Sequence, residues 1–147
     1  YTISGDIVKD GVHAAGWDGH FPMGETASDQ LVVPEKLPVW LSEEDLQFYV
    51  KQFSETGFRG GLNWYRNIKR IPSNLAPFVG GQIEQPTLYL YGEHDMIAGN
   101  TPDAIEALSA NLPDLRGLHK LLDAGHWLQQ ERPHEVNATI IEFLSSI

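Results

Sequence analysis

A short apolar run, "TLYLY" (87–91), and a second strand-like stretch, "LHKLL" (118–122), are each followed by a helical pattern, and this repeat narrows the fold more than any other feature of the chain. The first run lies between Pro86 and Gly92, as a buried strand does. "TPDAIEALSANLP" (101–113) then predicts a helix, with Thr101 as cap, Pro102 at its first position and Ile105, Leu108 and Leu112 facing inward. "RGLHKLLDAGH" (116–126) predicts a second strand near Leu118 to Leu122. A closing helix from about Pro133 carries Val136, Ile140, Phe143 and Ile147 on one face. Strand, helix, strand, helix at this spacing is a parallel α/β pattern. Two strands cannot make a parallel sheet covered on both faces, so the expectation is the end of a sheet whose earlier strands are absent from this chain.

The preceding segments read differently. Residues 1–40 are rich in Gly, Pro, Asp and His and show no sustained period; "AAGWDGHFPMGET" (14–26) reads as irregular. In "LSEEDLQFYVKQFSETG", Ser42 is a natural N-cap and Glu43, Glu44 and Asp45 fill the first turn. Leu46, Tyr49, Val50 and Phe53 share one helix face, and Gly57 is the expected stop. A second short helix is expected from about Leu62 to Lys69, ending before Pro72, with Gly60 and Gly61 making the turn between the two.

Composition excludes several classes of function. Ten Lys plus Arg against twenty Asp plus Glu give a net charge of −10, with no basic cluster to hold a phosphate backbone. There is no cysteine, hence no disulfide, thiolate metal site or Cys nucleophile. This fits a reducing compartment, and a cytoplasmic location is the expectation. No apolar run reaches membrane-spanning length. No pair of histidines has metal-site spacing, and "GGQIEQ" does not match a phosphate loop.

Asp95 follows "TLYLY" by four residues, and His126 follows the second run, 31 residues on. Both are placed at the carboxyl edge of a parallel sheet, where ligands bind. A carboxylate there can hold an imidazole in one tautomer and make it a general base. From spacing alone, a capping Asp and an unrelated structural His remain an equal reading. A strand-to-helix elbow bearing a nucleophile is not found; "GWDGH" (16–20) comes nearest but has neither the strand before it nor the helix after it.

"LSEEDLQFYVKQFSETGFRGGLNWYRNI" closely resembles the cap segment of soluble epoxide hydrolases in the α/β-hydrolase superfamily. "PTLYLYGEHDMI" and "LLDAGHWLQQERPHEVN" resemble the acid and histidine regions of that family, in the same order. The Gly-Phe-Arg-Gly…Asn-Trp-Tyr-Arg block is the most diagnostic part. The resemblance implies an α/β fold: a C-terminal part of an α/β-hydrolase, with residues 1–75 as helical cap and 76–147 as the last strands and helices of the catalytic domain. It implies that Tyr65 is a cap tyrosine that binds and protonates the epoxide oxygen, Asp95 the triad acid and His126 its base. Met96, Ile97 and Trp127 correspond to positions lining the substrate tunnel.

The implied reaction is hydrolysis of an epoxide to a vicinal diol through a covalent alkyl-enzyme ester, with water and no metal or organic cofactor. The family's Asp nucleophile, oxyanion-hole loop and first cap tyrosine have no counterpart here, so the chain is expected to be inactive alone and to need an N-terminal remainder. A homodimer is compatible with this reading. A haloalkane dehalogenase, a Ser esterase and a non-catalytic lid or binding module are the alternatives. Halide release calls for nitrogen donors such as Trp or Asn rather than a phenol.

Overall fold

A computed structural model describes residues 4–6, 34–95, 97 and 102–147. The expectations for 7–33, for Thr101 and for Met96 fall outside these residues. The chain divides into two compact units: Leu41–Gln82, and the described part of Tyr1–Trp40 together with Ile83–Ile147.

Leu41–Gln82 is helical. Helix α1 (Glu43–Thr56) starts where the sequence predicts, because Ser42 and Asp45 form a reciprocal capping box. The Asp45 N–H donates to Ser42 Oγ at 3.1 Å, and the Ser42 N–H donates to Asp45 Oδ2 at 3.3 Å. Gly57 ends the helix with φ 65°, a left-handed value that a side chain would strain, and its N–H donates to the Phe53 carbonyl. The next helix begins earlier than expected. Helix α2 spans Arg59–Arg66, so Gly60 and Gly61 are helical rather than the turn. One positive-φ residue is enough to redirect the chain, and Gly57 supplies it.

Beyond α2, a 3-10 turn (Ile68–Arg70) leads into α3 (Ile71–Leu75). Pro72 therefore does not terminate helical structure. It sits at the start of α3, where a missing N–H costs nothing. Phe53 and Phe58 stack across the Gly57 turn at 4.5 Å between ring centroids. No residue of α1, α2 or α3 is buried within this unit, and Phe48, Trp64 and Phe78 stand exposed.

The other unit holds the α/β portion. Strand β1 (Thr87–Gly92) pairs in parallel with β2 (Leu115–Leu121), from Thr87 opposite Leu115 to Gly92 opposite Leu121. The second strand starts three residues before its predicted position, because the ladder continues to Leu115 through a register shift between Thr87 and Leu88. The single helix expected over 101–113 is two: α4 (Pro102–Glu106) and α5 (Leu108–Asn111), separated at Ala107. Leu112 is buried just after α5, as its inward placement predicted.

Short helix α6 (Leu128–Glu131) is followed at once by α7 (Pro133–Ser145), whose predicted start at Pro133 is met. The core joins Leu121 at the end of β2, Ala124 in the next turn, Leu128 on α6 and Val136 on α7, with Leu90 of β1 packed against it. It thus sits beneath the carboxyl ends of both strands. Among the described residues, no helix is long and apolar enough to cross a membrane.

Candidate active site

Both strands end in turns that are bonded to each other. The Glu93 N–H donates to the Leu121 carbonyl at 2.9 Å, and the His94 N–H to the Ala124 carbonyl at 2.8 Å. The parallel pairing is thereby carried past the strands and into the loops that bear Asp95 and His126. Gly92 allows this approach, since a Cβ there would collide with the carbonyl oxygens of Ala124 and Gly125.

Asp95 is buried, with 9% of its surface exposed. Its Oδ1 accepts the Ile97 N–H at 2.8 Å, which closes a local turn and fixes the carboxylate. Its Oδ2 lies 3.2 Å from His126 Nδ1. The two side chains expected at the strand ends are therefore in contact. With Nδ1 held by a carboxylate, the other ring nitrogen is the one left to exchange a proton with a reactant.

The His126 loop is pinned on both sides. Ala124 and Leu128 lie in the core, two residues before and two after His126. Asp123 takes a left-handed φ of 52°, which Asp tolerates better than a bulky residue does. The Asp123 N–H donates to Glu93 Oε2 at 3.2 Å, and its carbonyl accepts from Arg132 Nη2 at 3.1 Å. The Trp127 indole meets the His126 ring edge-on at 5.3 Å.

One participant escaped the sequence reading. Glu131 is buried, with 8% of its surface exposed, and accepts three backbone N–H groups. Gly125 donates to its Oε2 at 2.8 Å, Gly5 to the same oxygen at 3.0 Å, and Trp127 to Oε1 at 3.1 Å. No residue spacing advertises such a role, because the partners are all main-chain groups. Gly125 is also required by close approach: a Cβ on it would collide with the backbone of Ser4 and Gly5.

Of the other predicted site residues, Ile97 and Trp127 lie in this unit and are solvent-exposed, each beside a member of the pair. Tyr65 lies on α2 in the Leu41–Gln82 unit and is 71% exposed there. Among the described residues, one grouping has metal-ligand chemistry: Glu93, His94 and Asp123, with ligand atoms within 4.8 Å of one another. His94 Nε2 is 3.9 Å from Asp123 Oδ1, and Lys120 Nζ is 3.8 Å from Glu93 Oε1, so local pairs already engage these side chains.

No protein-family model matches the chain. It is 37% identical to Epoxide hydrolase B of Mycobacterium tuberculosis over 164 aligned residues, covering 100% of this chain and 46% of that protein. It is 43% identical to Epoxide hydrolase A of the same species, covering 81% of this chain and 36% of that one. Among solved structures, an epoxide hydrolase from an endophytic Streptomyces superposes with a TM-score of 0.79 at 40% identity, over 84% of this chain and 37% of its own. Potato (Solanum tuberosum) epoxide hydrolase I gives a TM-score of 0.79 at 32% identity, over 87% and 41%. These neighbours have the α/β-hydrolase fold. The chain spans less than half the length of the curated relatives it matches.

Proposed function

We propose that this chain, a homologue of the epoxide hydrolases, supplies the acid, the base and an epoxide-protonating tyrosine of an enzyme that converts an epoxide and water to a vicinal diol. The observation that carries the reading is the 3.2 Å contact between His126 Nδ1 and the buried Asp95 carboxylate. Asp95 orients His126, and His126 takes a proton from the water that hydrolyses a covalent ester.

The first half-reaction needs an acid. Ring opening by a carboxylate expels an alkoxide, and a phenol with an ordinary pKa near 10 remains protonated and can donate to it. Tyr65 takes this role on the strength of the "GFRGGLNWYRN" block. The carboxylate nucleophile comes from protein outside the 147 residues. Ile97 and Trp127, beside the pair, take the role of substrate-path residues, and Met96 is given the same role on the resemblance alone.

Two features support a remainder that completes the enzyme. The helical unit Leu41–Gln82, read as cap, leaves large apolar side chains such as Phe48 and Trp64 exposed. The sheet has two strands among the described residues, fewer than an independently stable parallel sheet requires. A cytoplasmic location and a homodimer are further parts of this reading; the absence of cysteine supports the former.

The test is product formation by the intact enzyme on an aryl epoxide, a haloalkane and a p-nitrophenyl ester. Diol as the dominant product supports the reading. Halide release or ester hydrolysis with no diol contradicts it.

A further inference from the structure

We propose that Glu131 is the positioning residue of His126: its carboxylate fixes the loop that holds the imidazole against Asp95. The inference rests on the epoxide-hydrolase reading and adds a residue to that site. Its basis is where the three hydrogen bonds fall. Gly125 and Trp127, the donors to Oε2 and Oε1, are the residues immediately before and after His126. One side chain therefore spans the peptide units on both sides of the base. The third donor, Gly5, brings a segment 126 positions away onto the same oxygen.

A buried carboxylate is tolerated only when its charge is met by donors. Among the described residues no cation forms an ion pair with Glu131; the neighbouring Arg132 instead engages Asp123 and Glu135. Backbone N–H groups supply the compensation, so the charge and the loop conformation stabilise each other. Loss of the carboxylate would leave N–H donors on either side of His126 without an acceptor. The loop would then relax, and the distance from Nδ1 to Asp95 would change with it.

The proposed reaction has two steps that use His126 unequally. Ester formation needs the upstream carboxylate and a proton donor at the epoxide oxygen. Ester hydrolysis needs a water whose proton passes to the imidazole. A displaced His126 should therefore slow the second step and spare the first, whereas general damage to the fold lowers the active fraction without altering the ratio of the two.

The experiment is single-turnover kinetics of the intact enzyme and its Glu131→Gln variant on an aryl epoxide, with the covalent adduct followed by mass spectrometry. Adduct decay should slow about tenfold to a hundredfold, the scale of a misplacement near 1 Å, while its formation changes less than about twofold. Decay at the wild-type rate, or equal slowing of both steps, overturns the proposal. A second arm needs no variant. In hydrogen exchange on the wild-type enzyme, the Gly125 and Trp127 amides should be protected to the level of the β1–β2 ladder. Rapid exchange at both overturns the proposal even if Glu131→Gln fails to fold. A wild-type enzyme that forms neither adduct nor diol instead removes the epoxide-hydrolase reading, and exchange still decides whether Glu131 holds the loop.

Discussion

His126 Nδ1 lies 3.2 Å from Asp95 Oδ2, across 31 residues of sequence, because two parallel strands end side by side and their turns are bonded to each other. The contact depends on backbone as much as on side chains. Gly92 lets the two turns approach, the His94 N–H joins them at the Ala124 carbonyl, and the Ile97 N–H fixes the carboxylate.

Asp95→Asn should keep the side-chain volume and an oxygen able to accept from Ile97, so the fold should survive. The charge that faces His126 Nδ1, and that on the proposed reading orients the imidazole, is lost. In hydrolytic triads the corresponding change lowers turnover by about 10⁴-fold, and a loss of that order is expected here. Steady-state diol formation, with circular dichroism to confirm folding, checks it. Turnover within tenfold of wild type would mean that Asp95 does not orient the base.

Tyr65→Phe should slow ester formation by about 10²-fold or more, the ordinary contribution of a general acid. The fold should survive, because the substitution removes one hydroxyl and keeps the ring, and circular dichroism checks this. Rapid-mixing kinetics of adduct formation separates this from a change in hydrolysis. An unaltered rate would show that another donor serves the epoxide oxygen.

Gly92→Ala should destabilise the protein by about 3 kcal/mol or more. The added Cβ meets backbone oxygens that cannot swing aside as a side chain would. Urea unfolding measures the shift, and a change below about 1 kcal/mol would contradict the close approach of the two turns.

Ser42→Ala should cost about 1 kcal/mol, since it removes the acceptor for the Asp45 N–H and half of the capping box. Helix α1 should fray at its start, visible as faster amide exchange at Asp45.

Much of this arrangement was legible in the sequence where local chemistry decides the outcome. Ser42 and Gly57 bracket α1 because one supplies a cap and the other a positive φ. Pro86 and Gly92 bracket the run that forms β1. Pro133 begins α7. The Asp95–His126 pair was foreseeable from strand-end positions, although spacing alone could not separate it from two unrelated residues.

Other features depend on neighbours distant in sequence or on the main chain. The early start of β2 reflects its register with Thr87, which no pattern within 115–121 encodes. Helical structure continues across Pro72 because a new helix begins there, which turns a stop signal into a start signal. Glu131 was missed for a third reason. An acidic residue near the end of a short segment resembles any surface carboxylate until the backbone N–H groups of Gly5, Gly125 and Trp127 are placed around it.

The most direct test of the central claim is intact-protein mass spectrometry of the His126→Gln enzyme after exposure to an aryl epoxide. If His126 activates the water that hydrolyses an ester, this variant should accumulate an adduct heavier by one epoxide and release little diol. Continued diol release at the wild-type rate with no adduct would contradict the account.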